Sequence, residues 1–344
     1  MDEIDWDSLT FSLTKTDWMY MAKCKLGDAW TPGKIMPYGS FEIDPAAGVL
    51  NYGQGIFEGM KAHRTINDRV VIFRAEQNAR RFQSGADRLG MPPVPESIFL
   101  DAVEQVVAAN KKWVPPSGKG ALYIRPLLLG TGPIMGVAPA PEYTFLVFVT
   151  PVGPYFKGGL SCIDLIITDE YHRAAPGGSG GVKAIGNYAP GMMPSKNAKK
   201  DGFAEVIYLD AENHEYIEEV GAANFFCIKN NVIYTPELTG TILPGITRDS
   251  VIQLARSFGY EVIEEKVSAE FAMDANEAFC CGTAAVISPI GSIKHGDKKK
   301  VYSNGDIGPI TQKLYDSISG IHSEKVEDSF GWLHEVDLNL NLEK

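Results

Sequence analysis

One lysine stands inside the glycine-rich stretch GGSGGVKAIGNY, residues 177–188, and its setting limits the chemistry open to it. Glycine-rich loops often present backbone N–H groups to phosphate, and the phosphate loop of nucleotide hydrolases has Gly before its Lys and Ser or Thr after it. Here Val182 precedes Lys183 and Ala184 follows it, so the hydroxyl that would hold a magnesium ion is missing. Small neighbours instead let a flat partner reach the amine, as covalent chemistry between a lysine and a carbonyl requires.

Two further features bear on the same chemistry. In TILPGITR, 241–248, a Pro-Gly turn runs into a helix whose free N–H groups and dipole suit an anion. In IEEVGAANFF, 217–226, two carboxylates stand side by side on a strand. Pyridoxal phosphate needs a lysine, phosphate donors and an acid that keeps its ring nitrogen protonated, so that the ring can take up electrons. The three features fit that need together. The alternative left open at this point is an ordinary solvated lysine in a surface loop.

The elements that must position these residues read as follows. Residues 70–74 form an apolar, β-branched strand, and a helix follows to about Leu89 before MPPVP breaks it. Phe99, Ala102, Val103, Val106, Val107, Asn110 and Trp113 recur at spacings of three and four and predict a second helix with one buried face. ALYIRPLLLG and TFLVFVTPVG read as buried strands. The Pro- and Gly-rich residues 151–160 are the expected linker between a small α/β domain, 1–150, and a large one, 161–344, that carries the lysine.

Beyond the linker, strands are expected near 163–167, 205–209, 216–219, 224–228 and 232–235, with DAENHE and KNN as hairpin turns. That favours a largely antiparallel or mixed sheet and an α+β fold. The last clear helix is DSVIQLARSFG, with Gly259 as its left-handed cap.

Composition narrows the function. A net charge of -11 opposes nucleic acid and anionic membrane, and the densest basic run, Lys298-Lys299-Lys300, is too short to reverse that. The five cysteines show no repeated spacing, which argues against a disulfide framework, and the six histidines fall singly, so no metal is expected. The opening MDEIDWD holds four acids and no apolar run, so neither a secretory signal nor a transit peptide is read there. The chain is read as cytoplasmic as written, or plastid or mitochondrial if a presequence is absent. No segment has the length to span a bilayer.

In order along the chain, YGQGIFEGMKAHR, YIRP, VGPYF, GGVKAIGNY, EEVGAANFF, LPGITRDS and CGTAAVISP resemble the branched-chain amino-acid aminotransferases, and most closely their plant-type members. These are fold type IV pyridoxal-phosphate enzymes, and the resemblance implies that fold and cofactor. It implies that Lys183 bonds the cofactor and later moves the substrate proton, that Glu219 rather than Glu218 partners the pyridine nitrogen, and that Tyr188 binds the phenolic oxygen. Because strand residues alternate, Glu218 is then expected to face solvent.

The resemblance gives the phosphate to Arg81, with Arg80 solvated, and to Ile246, Thr247 and Thr283. The substrate carboxylate falls to Thr283 and Ala284 with the hydroxyl of Tyr123. Arg125, on the same strand face as Tyr123, receives the distal carboxylate of glutamate or 2-oxoglutarate. Tyr52, Phe57 and Tyr155 surround the apolar side chain, and Met135 and Val137 reach the pocket of a partner subunit, so a homodimer is implied. The implied activity is transamination between leucine, isoleucine or valine and 2-oxoglutarate.

One departure stands out. Mammalian relatives carry a C-x-x-C pair just after the GTA triplet, where this chain has Ala285 and Ser288, so no thiol switch of that kind is expected. D-Amino-acid aminotransferases and aminodeoxychorismate lyases share the scaffold and are the alternatives within the fold; YIRP with GVAP favours the branched-chain group. A catalytically silent binding or scaffold relative is the alternative of another class. Lys183, Glu219, Tyr188 and Arg81 standing together argue against it.

Overall fold

The computed structural model describes residues 4–156 and 158–340. Residues 1–3, with two of the four N-terminal acids, Lys157 within the 151–160 segment, and residues 341–344 lie outside the described residues. The chain packs as two units, one of Met1–Tyr155, Val182–Gly186 and Gly320–Lys344, the other of Phe156–Gly181 and Asn187–Ser319. Each joins helices to its own sheet, an α+β architecture.

In the first unit eight strands pair antiparallel. The centre is the hairpin of Ala121–Gly130 and Glu142–Val152, in register from Ala121 opposite Val152 to Gly130 opposite Tyr143. These are the two strands read as buried, and they are largely buried on both faces. Pro126 has no N–H to give to a neighbour. The partner strand breaks beside it: Gly55–Phe57 pairs with 127–129, and 60–62 pair with 122–124. Glu58 and Gly59 fall in the gap, and Glu58 N donates to Pro126 O at 2.9 Å.

Helices Ala75–Arg88 and Glu96–Ala109 pack with this sheet through Phe82, Phe99 and Phe145, whose ring centroids lie 5.2–5.9 Å apart. The face predicted for the second helix, from Phe99 to Val107, is the buried one. The helix stops at Ala109 because Asn110 takes over the backbone: its Nδ2 donates to Val106 O at 2.8 Å and its Oδ1 accepts from Asp17 N and Trp18 N at 3.1 Å. Trp113 sits in a short 3-10 turn beyond. The strand at Val70–Phe73 likewise ends one residue early, since Arg74 turns left-handed to enter the first helix.

The second unit holds a nine-stranded mixed sheet. Ile163–Thr168 pairs in parallel with Glu205–Leu209 and with Val286–His295, and Val232–Pro236 with Val262–Glu265; the other neighbours are antiparallel. An extra pairing of Ile217–Val220 with Ala223–Lys229 closes six of the strands into a ring. The KNN turn has both asparagines at positive φ, as a tight hairpin requires. The helix read from Asp249 starts three residues sooner, at Ile246–Ser257, and Gly259 closes it at φ 83°.

Candidate active site

Two groups of the expected residues assemble, one in each unit. In the first, the lysine segment is built into the sheet rather than left in solvent. Ala184 bridges to Ile56, Phe57 N donates to Lys183 O at 3.1 Å, and Val182 packs against the core. With its neighbours so fixed, half-buried Lys183 holds Nζ 4.5 Å from the centre of the Phe57 ring. The Arg125 guanidinium lies 4.9 Å from the same ring and 5.3 Å from that of Tyr123. Its Nη2 donates to the Tyr123 hydroxyl at 3.3 Å, as residues two apart on one strand face allow.

Arg81 comes from helix Ala75–Arg88 and meets the fully buried Glu58 as a fork, Nε to Oε1 at 2.7 Å and Nη2 to Oε2 at 2.8 Å. Asn78, one turn earlier on the same helix face, donates to Oε2 at 2.8 Å. Burial pushes the Glu58 carboxyl up, but the charge and hydrogen bonds of Arg81, the charge of Lys183 and the Asn78 bond together hold it below the usual carboxylate range. Arg80 points away to Glu96 and is mostly exposed.

Tyr52, at the end of the short helix Gly48–Tyr52, donates its hydroxyl to the carbonyl of Met135. Met135 and Val137 are 84% and 88% exposed, far beyond what apolar side chains in a finished core show. Tyr155 is also exposed. Phe11, for which the sequence offered no motif, stands edge-on to Tyr123 at 5.1 Å.

In the second unit Glu219 is buried on strand Ile217–Val220 and paired with Arg173. Its Oε1 also accepts from Asn224 Nδ2 at 3.2 Å and Leu243 N at 3.3 Å. An opposite charge and two N–H donors are what a buried carboxylate requires. Arg173 is itself tied to Thr241 O at 2.6 Å and to Gly180 O. Helix Ile246–Ser257 has no side-chain cap bond among the described residues, so Ile246 and Thr247 open it with N–H groups that no helical carbonyl can take. A Cβ on Gly245 would collide with Asn224 Oδ1, so glycine lets the helix start lie against the side chain that holds Glu219.

Tyr188 follows the turn Ile185–Asn187 and lines a cavity of about 280 Å3 with Arg173, Glu205 and Tyr208. Thr283 and Ala284 lie half-buried in the turn before Val286, a β-branched residue held at φ 66° and therefore strained.

Glu218 corrects the sequence reading. It does not face solvent but is buried, 5% exposed. Alternation separates an inner from an outer face only where one face is solvated. Here all four residues of Ile217–Val220 are covered, and the register shifts between Ile217 and Glu219. Glu58, Arg173 and Asn224 were not found from sequence; an acid at Glu58 between apolar strand residues was the one available signal.

The vicinal thiols are free and buried. Burial drives the Cys280 thiol up to about 12 and pushes that of Cys281 well above the ordinary thiol range, so little thiolate forms at neutral pH. Millimolar peroxide is accordingly expected to leave activity within about twofold over an hour. A larger loss that dithiothreitol restores would contradict this.

Among the described residues, no group of three or more His, Cys, Asp and Glu is arranged to hold a metal ion. No described helix is long and apolar enough to cross a membrane.

Residues 55–293 match the family described as amino-transferase class IV. Over 330 residues the chain is 50% identical to branched-chain-amino-acid aminotransferase 5, chloroplastic, of Arabidopsis thaliana, covering 96% of this chain and 80% of that protein. It is 48% identical over 334 residues to a methionine aminotransferase of the same plant, covering 97% and 94%. Among solved structures, a branched-chain amino acid aminotransferase of T.th. with pyridoxamine 5'-phosphate matches with a TM-score of 0.81 at 27% identity, over 94% of this chain and 99% of that one.

Proposed function

The chain belongs to amino-transferase class IV and, within it, to the branched-chain-amino-acid aminotransferases, and from that premise we propose that it transfers the amino group of leucine, isoleucine or valine to 2-oxoglutarate with pyridoxal 5′-phosphate as cofactor. The observation that carries this reading is the Phe57 ring flanked by Lys183 Nζ at 4.5 Å and the Arg125 guanidinium at 4.9 Å. An apolar surface next to a fixed cation accepts a branched side chain in one half-reaction and the distal carboxylate of glutamate in the other.

The donor set fits the cofactor. It contains a primary amine among small residues, an arginine gripped by a buried carboxylate, a helix start with uncapped N–H groups, and a buried acid for the ring nitrogen. When bound, the group would supply an electron sink for charge at the substrate α-carbon. Lys183 holds it covalently and moves the proton at that carbon. Arg81, Ile246, Thr247 and Thr283 bind the phosphate, with Glu58 fixing the aim of Arg81. Glu219 keeps the proton on the ring nitrogen, and Tyr188 donates to the phenolic oxygen.

Tyr123, with the backbone of Thr283 and Ala284, orients the substrate carboxylate, and Arg125 takes the second one. Tyr52, Phe57 and Tyr155 exclude water around the side chain. The exposed Met135 and Val137 complete the pocket of a second copy, which makes the working form a homodimer. A methionine-type substrate is the second reading, favoured by the 48% identity to a methionine aminotransferase. Discrimination by one methylene is worth only about 1–3 kcal/mol.

The test is the near-ultraviolet and visible spectrum of the purified protein, saturated with the cofactor, before and after L-leucine without an oxo-acid acceptor. The yellow band is expected to give way and to return with 2-oxoglutarate. A band that resists L-leucine but bleaches with D-alanine would move the protein to the D-amino-acid enzymes. No band at all would leave the silent relative.

A further inference from the structure

Arg248, the third residue of helix Ile246–Ser257, is a charged side chain in the core, only 3% exposed. Its Nη2 donates to Pro236 O at 2.9 Å and to Glu264 Oε2 at 3.0 Å, and among the described residues its buried Nε has no partner. Two costs fall on a guanidinium so placed. Water is excluded from it, and it stands in the first turn of a helix, where the dipole favours anions rather than cations.

The carboxylate that pairs with Arg248 does not cancel it. Glu264 is 35% exposed, and its other oxygen accepts from Arg256 Nη2 at 3.2 Å, so two guanidiniums draw on one acid. Asp249, the acid of the same turn, is exposed and accepts from Gln253 Nε2 at 2.7 Å. Positive charge is left over on the buried side of the turn. It lies close to both unit-two segments proposed to bind phosphate. A Cβ on Gly245, the residue before Ile246, would stand 3.3 Å from that of Arg248. At the other segment, burial and Cys280 push the Cys281 thiol up and Arg248 pulls it back, and Cys281 is two residues before Thr283. A phosphate would offset both the dipole and the buried guanidinium.

We infer that Arg248 acts on the cofactor's phosphate through its buried charge, which adds to the N–H groups of Ile246 and Thr247 and keeps the phosphate dianionic. This rests on the phosphate assignment proposed above.

Calorimetric titration of the full chain, freed of cofactor, with pyridoxal 5′-phosphate and with pyridoxal tests it, since the two probes differ only in the phosphate. Arg248→Met is expected to weaken the first at least about tenfold, as loss of one nearby charge from a partly buried site implies, and to leave pyridoxal within about twofold. Arg248→Lys, which keeps the charge, is expected to retain most of the preference. Glu264→Gln separates charge from tethering. It removes the acid that competes for Arg248, so it is expected to tighten pyridoxal 5′-phosphate by about twofold or more, whereas a tether would be loosened and binding weakened. The 31P resonance gives a readout independent of affinity. The second ionisation of a free phosphate monoester lies at about 6; for the bound cofactor it should lie lower in the parent and rise by about one pH unit in Arg248→Met. Equal weakening of both probes in Arg248→Met, or weaker pyridoxal 5′-phosphate binding in Glu264→Gln, would overturn the inference while the phosphate assignment stands. A parent that does not prefer pyridoxal 5′-phosphate over pyridoxal would overturn both.

Discussion

Lys183→Ala is expected to lower turnover of L-leucine with 2-oxoglutarate by about a thousandfold or more while leaving the protein folded. The fold survives because the contacts that anchor this segment are backbone and neighbour contacts. The carbonyl that accepts from Phe57 N, the Ala184 bridge and the packing of Val182 all remain. What disappears is Nζ, and with it both the covalent hold on the cofactor and the proton transfer, for which a positioned base alone contributes about 10²–10⁴-fold. Lys183→Arg separates chemistry from charge. It keeps a cation near Glu58, whose carboxyl is held down in part by Lys183, so it is expected to match the parent in melting temperature and the alanine variant in turnover. Borohydride reduction followed by mass spectrometry is expected to add the cofactor mass to the parent chain and to neither variant. Turnover within tenfold of the parent in Lys183→Ala would sink the assignment.

How far such a site is legible in a sequence depends on whether its partners are near in the chain. The helix face from Phe99 to Val107 could be read because one period repeats against one core, whereas Asn224 was missed although it stands opposite Glu219 and only five residues on. The setting of Lys183 could not be read. Its fixed geometry comes from Ile56 and Phe57, more than a hundred residues away, and nothing local in GGVKAIG encodes that pairing. Glu218 misled for a different reason. Alternation predicts a solvated residue beside a buried one, but all four residues of this strand are covered and its register shifts between Ile217 and Glu219. The resemblance chose Arg81 over Arg80, and the structure supplies a physical reason for their difference: Arg81 shares a helix face with Asn78 and meets a buried carboxylate, whereas Arg80 meets the exposed end of Glu96. Glu58 itself was passed over because an acid inside an apolar strand makes sense only once the strand break beside Pro126 is known.

Glu58→Ala is expected to destabilise the protein by about 3–5 kcal/mol, the cost of leaving one member of a buried ion pair without its partner, and to lower the melting temperature by on the order of 10 °C. The pH dependence has a definite sign. The folded carboxyl titrates below its unfolded value, so its contribution is fully present above the ordinary glutamate range of about 4.3 and is lost as pH falls through the folded value. The gap in melting temperature between parent and Glu58→Ala should therefore be wide at neutral pH and narrow progressively in acid. Removing both charges sharpens the test. If the penalty in Glu58→Ala is a stranded guanidinium, then Glu58→Ala with Arg81→Ala must lose less than the sum of the two single losses, and a strictly additive cycle would refute the coupling. Cofactor affinity should follow a different rule. It should fall in every variant that lacks Arg81, including the double one, because no repair of stability returns the phosphate donor. In Glu58→Ala it should fall by less, since Arg81 is present but no longer held in one orientation. Stability and binding would then rank the three variants in different orders, which a purely structural ion pair cannot produce.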